Sequence, residues 1–421
     1  MSQSAFGGDF LATLRSRNFS IFTVAQTISQ FGEKLHHIFL ISMVGTYAHG
    51  SPAILARLGV TFTLPSILFG PAIGTVVDRW NRKLILVTSE GCRSAIVALI
   101  PLLILSQGKF ALLYPLVFTV FLCGVFFNTS KLAVIPSLVP REKLLAANSI
   151  SLFSIRVATI LGMVLGGYLV DWPAWRRFNI AGWQAGLGIN AILFLLSATL
   201  MRRLPLTPSS PDMRRDQPFL SHLKAAFGLV RTDRLIRFVM VSAFLFCLIG
   251  ATIYVLVVSL VQHELGRGTA GVGLMAATLG VGTLVGAVFY SSVGQRLSRT
   301  IVIAVCLGLV GMLLVLFSMV SSTSKLMFIS FLGGIFLAPI PIAQDTLLHE
   351  HLSENERGRI FGIRDWIVNL FFATGSLILG FLSSAMTIDE ALVYMGVAIG
   401  VGATMLLSVW TKWGREKSAW V

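Results

Sequence analysis

Twelve apolar runs, each of about 20 residues or more and parted by short polar connections, constrain this chain more than any other feature. A helix rises about 1.5 Å per residue, so each run is long enough to cross the roughly 30 Å hydrocarbon core of a bilayer. In that solvent a backbone N–H or C=O finds no water, and a helix satisfies every such group within its own segment. The runs fall at residues 19–44, 52–77, 84–105, 110–136, 145–170 and 180–201, then at 236–261, 269–293, 300–320, 326–349, 360–385 and 391–411. With 55% of its 421 residues hydrophobic, 12% charged and a mean hydropathy of +0.83, the chain has no stretch left over for a water-soluble domain. The predicted fold class is therefore an all-α polytopic membrane protein, with twelve transmembrane helices in two pseudo-symmetric six-helix bundles.

The longest interruption, residues 202–235, carries Pro205, Pro208, Pro211 and Pro218 among serines and arginines and cannot form a span. It divides the chain into an N-terminal bundle, residues 1–201, and a C-terminal bundle, residues 236–421. Short echoes relate the two. Arg15-Ser-Arg-Asn-Phe19 is matched by Arg231-Thr-Asp-Arg-Leu235, Asp78-Arg-Trp-Asn-Arg-Lys83 by Gln295-Arg-Leu-Ser-Arg-Thr300, and Gly162 and Gly167 by Gly375 and Gly380. Repeats at corresponding positions of two bundles occur in transporters whose halves rock about a midplane site.

The formal charge of +15 does not point to nucleic acid, because its Lys and Arg residues sit in short loops rather than on one basic face. They sort by side of the membrane instead. Placing the N-terminus in the cytoplasm puts about 22 of them on the cytoplasmic side against about 5 outside, so both termini are predicted to be cytoplasmic. The first run is longer than a signal-peptide core and lacks a small-residue cleavage site, so it is expected to remain in the mature protein. Cys92, Cys123, Cys247 and Cys306 stand singly in apolar runs and read as small core residues, without disulfides or a zinc site.

Ionisable residues inside a span are costly, so each one marks a position facing protein or a wet cavity. The first run holds Gln26, Gln30, Glu33, His36 and His37. Glu33 lies near mid-span, and a spacing of three and four residues puts both histidines on its side of the helix. A carboxylate there can take and release a proton, with the histidines sharing it. Lys34, about 100° away, needs a partner of its own. Glu90 and Arg93, at i and i+3 in the third run, form a self-neutralising pair. Lys131, Arg156, Asp345 and His349 complete the deep ionisable set, with Asp345 and His349 on one face. Glu33, His36, His37 and His349 are also the residues able to ligate a divalent ion, although nothing in their spacing brings them together, and no metal is expected.

Gly74-Thr-Val-Val-Asp78-Arg79-Trp80-Asn81-Arg82-Lys83 joins the second and third runs. It resembles the loop signature of the major facilitator superfamily, and Gly162-Met-Val-Leu-Gly166-Gly167 resembles that superfamily's exporter motif with Met163 in place of proline. The stretches Gln30-Phe-Gly-Glu33, Asn128-Thr-Ser-Lys131 and Gly166-Gly-Tyr-Leu-Val-Asp171-Trp172 are similar to a branch containing drug and macrolide exporters and bacterial lysophospholipid transporters. The resemblance implies the major facilitator fold, in which helices one, four, seven and ten line a central cavity, and so implies Glu33, Lys131 and Asp345 around it. Gly74 would let helices approach closely, while Asp78, Arg79, Arg82 and Lys83 would latch the cytoplasmic side, with Glu90 and Arg93 gating beside them.

The expectation that follows is a secondary active transporter of the bacterial inner membrane, working by alternating access. Its partners are the lipid bilayer, protons and a small amphipathic molecule that it exports. Glu33 carries the proton, His36, His37 and Gln30 assist it, and Lys131 and Asp345 contact substrate. A lysophospholipid flippase, a carrier of metals or metal chelates, and a transport-dead scaffold are the rival readings. No P-loop is present to hydrolyse ATP, and neither enzymatic activity nor a cofactor is expected of a chain that can work as a monomer.

Overall fold

The computed structural model describes Thr13, residues 16–107, 110–205, Gly228, 230–294 and 297–418. All regular structure in them is helical. Six long helices precede the interruption: α1 Arg17–Ala48, α2 Pro52–Arg79, α3 Arg82–Gln107, α4 Leu113–Leu138, α5 Leu144–Val170 and α6 Gly182–Arg202. Six follow it: α7 Arg234–Glu264, α8 Gly268–Val293, α9 Arg299–Ser318, α10 Thr323–His351, α11 Glu354–Leu382 and α12 Ile388–Ser418. Most of the predicted linker, residues 206–227 and Leu229, lies outside the described residues, as do Gln295 and Arg296 of the second loop echo.

Eleven of these helices are apolar enough to cross a membrane by composition alone. The exception is α1, whose 32 residues would span about 48 Å but include the glutamines, histidines, glutamate and lysine singled out above. Its polar side chains are compatible with a bilayer because they turn inward. Gln26, Ser29, Gln30 and His36 are all buried in protein.

Helix starts follow local chemistry. Asn81 caps α3, its Oδ1 accepting from the Lys83 and Leu84 amides at 3.0 and 3.4 Å. Thr387 and Glu390 form a reciprocal box at the start of α12, with contacts of 2.9 and 3.3 Å. Asp233 caps α7 through the Leu235 and Ile236 amides at 2.8 and 3.0 Å, and its second oxygen meets His351 Nε2 at 2.6 Å. Burial pushes the Asp233 carboxyl upward, but these hydrogen bonds outweigh it and hold the group below the ordinary aspartate value. Its stabilisation is therefore present above that ordinary value and is lost as pH falls through the lower folded value. Asp233→Ala is expected to lower stability by about 1 kcal/mol at neutral pH. In detergent melts the difference from wild type should shrink on acidification.

The described residues fall into two compact units, one within residues 1–43 and 65–216, the other within residues 44–64 and 217–421. In the first, a buried core joins Phe19, Phe22 and Ala25 of α1 to Leu86 of α3, Phe127 and Ile135 of α4, Ile150 of α5 and Met201 of α6. Helix α5 reaches α1 through glycines. A methyl group at Gly162 would stand 2.8 Å from Lys34 Cβ, and one at Gly166 would stand 3.1 Å from Ile38 Cβ. The exporter-like glycine motif thus packs one helix on another. Helix α3 is tied to α6 by Ser94 Oγ, which donates to the Ala191 carbonyl at 2.7 Å.

The second unit repeats the device, since Gly375 of α11 faces Ala251 and Leu248 of α7. Helices α8 and α10 approach more closely. Methyl groups at Gly282, Gly286 or Gly334 would overlap the backbone carbonyls of Phe331, Ile335 and Leu279 respectively. Pro339 explains part of this arrangement. It has no N–H to offer the Ile335 carbonyl, α10 is interrupted at Ala338, and that oxygen faces Gly286.

Helix α7 ends in two π-helical stretches, Ile253–Val257 and Leu260–Glu264, which the apolar pattern does not foretell. Residues 44–64, which belong to this unit, pack on that end. Ser259 Oγ donates to the Gly50 carbonyl at 2.6 Å, and His49 and Gly50 take positive φ values of 47° and 63° to make the turn.

Candidate functional site

The polar face of α1 meets α3, α4, α5 and α6 inside the first unit. Gln26 accepts from Ser151 Oγ of α5 at 3.0 Å and donates to Ser154 Oγ at 3.4 Å. One turn on, Gln30 Nε2 donates to Asn128 Oδ1 of α4 at 3.3 Å, and Lys131 Nζ reaches the same oxygen at 2.9 Å. One further turn brings Glu33.

Glu33 is not an isolated carboxylate. Its Oε2 accepts from Arg93 Nη2 at 2.9 Å, while Arg93 Nη1 reaches Glu90 Oε1 at 3.1 Å and Ser29 Oγ at 3.5 Å. Arg93 is 1% exposed and Glu90 is fully buried. The guanidinium stacks over the Phe194 ring of α6, 4.2 Å from its centroid. Lys34 curls back to Glu33 Oε1 at 3.5 Å, so the partner it needs is its own neighbour. Helix α4 presents Gly124 to the pair, and a methyl group there would stand 3.6 Å from Arg93 Nη2 and 3.9 Å from Glu33 Oε2. One guanidinium is thus held between two carboxylates on different helices.

The histidines lie one turn beyond Glu33, against Phe121 of α4, with ring centroids 6.0 Å from it for His36 and 5.0 Å for His37. His36 is buried, and neither ring nitrogen has a hydrogen-bond partner among the described residues. It is near Glu33 by helical register without bonding to it. Asn190 of α6, which nothing in the apolar pattern singles out, is also fully buried, and a methyl group at Gly32 would stand 2.9 Å from its Oδ1.

Several expectations are corrected. Arg156 is exposed on α5 rather than deep in the bundle, and Cys92 is exposed rather than a core residue. Nothing lies within 4 Å of a methyl group at Gly74 among the described residues, so this glycine makes no close helix approach there. The side chain of Asp78 lies outside the described residues. Arg79 is exposed, Lys83 is half-buried, and Arg82 Nη1 donates to the Ala133 carbonyl at 3.0 Å, joining the loop to α4. No group of three or more His, Cys, Asp or Glu able to hold a metal is found among the described residues.

In the second unit Asp345 pairs with Arg364 of α11, whose Nη2 also reaches Gln344 Oε1 at 3.2 Å. Gln344 Nε2 donates to Ser242 Oγ of α7 at 2.9 Å, and His349 stacks near Phe361 at 4.7 Å. Arg364 is not among the residues expected from the sequence. Its position inside the eleventh apolar run, one helix after Asp345, is the signal that could have found it.

Apolar helical spans enclosing ion pairs and amide seams define an all-α polytopic membrane protein. The chain belongs to the transmembrane secretion effector family, which it matches over residues 9–418. Among its relatives is an enterobactin exporter, EntS, of Salmonella typhimurium, 26% identical over 366 residues that cover 84% of this chain and 83% of that protein. Another is BacE of Bacillus subtilis, which carries the name of a bacilysin exporter and is 24% identical over 348 residues, 81% of this chain and 83% of the relative. The fold is shared with a bacterial homologue of the human lysosomal transporter Spinster, at a TM-score of 0.73 and 15% identity with 96% of each chain covered. It is also shared with the nucleoside transporter NupG, at 0.73 and 12% identity over 94% of this chain and 99% of that one. The protein is thus a multi-pass membrane transporter of the major facilitator superfamily, from a family whose named relatives include exporters.

Proposed function

We propose that this chain exports an amphipathic small molecule in exchange for protons across a bacterial inner membrane, as a monomer with both termini in the cytoplasm. Two six-helix bundles, residues 1–201 and 236–421, would alternate access, the first contributing the polar residues of α1 and α4 and the second Asp345 of α10. The observation that carries the reading is the sharing of Arg93 between Glu33 and Glu90. A proton on Glu33 removes the charge that holds Arg93 Nη2, and the guanidinium then rests on Glu90 alone. The two protonation states therefore hold α1 and α3 together differently, which is what a coupled carrier requires. The names of EntS and BacE support the outward direction.

The test is transport in proteoliposomes under an imposed pH gradient, with a panel of lipophilic cations, macrolides and peptides. Wild type is expected to move at least one class with the gradient. Glu33→Gln, fixed in the neutral state, is expected to lose about tenfold or more of the gradient-driven rate while still exchanging substrate down its own gradient. A Glu33→Gln rate that follows the pH gradient as the wild type does would remove Glu33 from the coupling.

A further inference from the structure

The connection between α5 and α6, residues 171–181, has a defined build. Its ends are pinned together, because a methyl group at Gly182 would overlap the Val170 carbonyl and the first turn of α6 therefore sits against the last of α5. Trp175 Nε1 donates to the Leu169 carbonyl at 2.5 Å, the Ile180 amide to the Trp175 carbonyl at 3.2 Å, and the Ala181 amide to Gln184 Oε1 at 2.9 Å. Asn179 turns the chain with a φ of 55°, a conformation that asparagine tolerates. Closed ends and internal bonds make this a compact surface loop.

Its outer face is not one that suits water. Trp172 and Phe178 are 53% and 68% exposed, and Ile180 and Tyr168, the latter one turn before Trp172, are exposed as well. Trp172 rests on Trp175 in an edge-to-face contact, with ring centroids 5.4 Å apart. Helix α5 has 27 residues and a length of about 40 Å, so it outruns the roughly 30 Å hydrocarbon core and leaves the loop at the level of the headgroups. Trp and Tyr concentrate at that depth, where the ring meets acyl chain and the polar edge meets water.

Within the same loop, Arg176 and Arg177 are exposed, and neither guanidinium has an ion pair or hydrogen bond among the described residues. Basic residues are scarce in the predicted outer loops, yet two of the roughly five found there stand side by side here. Asp171 offsets only one of the two charges. A guanidinium meets a phosphate through two parallel hydrogen bonds, and a neighbouring aromatic ring supplies the apolar contact that a lipid also needs.

We propose that the α5–α6 loop is a binding site for an anionic phospholipid. Arg176 and Arg177 hold its phosphate, and Trp172, Phe178 and Ile180 lie against its acyl chains. With both termini cytoplasmic, as in the proposed function, the site belongs to the outer leaflet. The binding itself does not depend on that topology.

The experiment is tryptophan fluorescence of the full chain reconstituted with phosphatidylglycerol or phosphatidylcholine brominated close to the ester, in mixtures with the unbrominated lipids. Subtracting the signal of Trp172→Phe in each background isolates Trp172. Phosphatidylglycerol is expected to occupy the site about fivefold or more in preference to phosphatidylcholine, the effect of one or two arginines near a charged headgroup. In Arg176→Gln/Arg177→Gln the preference falls to about one, while quenching by phosphatidylcholine is unchanged, which shows that the loop is still folded and still at the interface. Equal quenching of wild type by the two lipids, or a preference that survives in the double variant, overturns the proposal. So does the absence of quenching by either lipid, which would leave this face to water or to a protein partner. Both leaflets carry the brominated lipid and no gradient is imposed, so the result stands apart from the topology and from proton-coupled export.

Discussion

Arg93→Met is expected to lower stability by about 3–5 kcal/mol, because it strips the shared cation from two carboxylates in a water-poor interior. Glu90 is fully buried and Glu33 half-buried, and the guanidinium holds both at hydrogen-bonding distance. Without it, one carboxylate has to take a proton or the helices have to part. The loss exceeds what an ion pair contributes in water, since a carboxylate left buried without its partner costs more than the lost attraction itself. Glu90→Gln in the same chain removes that leftover charge, so the double variant should recover much of the loss. Thermal unfolding of detergent-solubilised protein measures both, and an Arg93→Met midpoint equal to wild type would show that the network does not support the fold.

Gly334→Ala and Gly333→Ala should differ by about 3 kcal/mol although they change adjacent residues in the same way. A methyl group at Gly334 would overlap the Leu279 carbonyl and stand 2.8 Å from the Thr283 amide nitrogen, whereas one at Gly333 meets nothing within 4 Å. The obstacle at Gly334 is backbone, which no rotamer change can move aside. Helices α8 and α10 would have to separate along the whole Gly282, Gly286 and Gly334 contact. At Gly333 alanine only restrains the unfolded chain and favours helix, an effect of at most about 1 kcal/mol in the stabilising direction. Comparing the two variants by thermal unfolding cancels any general response to added bulk. Equal midpoints would rule out the tight contact.

The helices are legible in the sequence because hydrocarbon imposes one length and one polarity on them. The runs at residues 145–170 and 269–293 correspond to Leu144–Val170 and Gly268–Val293. Helix α11 starts earlier than its apolar run, at Glu354 instead of residue 360, because a helix can continue past the apolar boundary into its polar flank. Individual site residues are readable for the same reason, since Glu33, Glu90, Arg93 and Lys131 each break an apolar run. Their grouping is not. Glu90 and Arg93 are neighbours on one helix, but the bond from Arg93 to Glu33 spans 60 positions, and helical periodicity carries no information at that range. The residues expected to gate and those expected to carry the proton therefore look like separate sets in the sequence, and the structure joins them in one network. Asn190 resembles any tolerated amide in an apolar run, and the π-helical end of α7 leaves no mark in its composition.

The polarity of α1 also bears on how the protein is made. A helix with glutamate and lysine at its centre enters a bilayer unfavourably by itself, each such residue adding about 2.5–3.5 kcal/mol to the insertion free energy. Lys34 of α1 meets Glu33 at 3.5 Å, but the closer and more deeply buried partner, Arg93 at 2.9 Å, belongs to α3 and is synthesised 60 residues later. Stable integration of α1 therefore waits on α3. The opening segment would dwell at the membrane surface or within the translocation machinery until Arg93 arrives, so assembly of the first unit proceeds by at least three helices together rather than one span at a time.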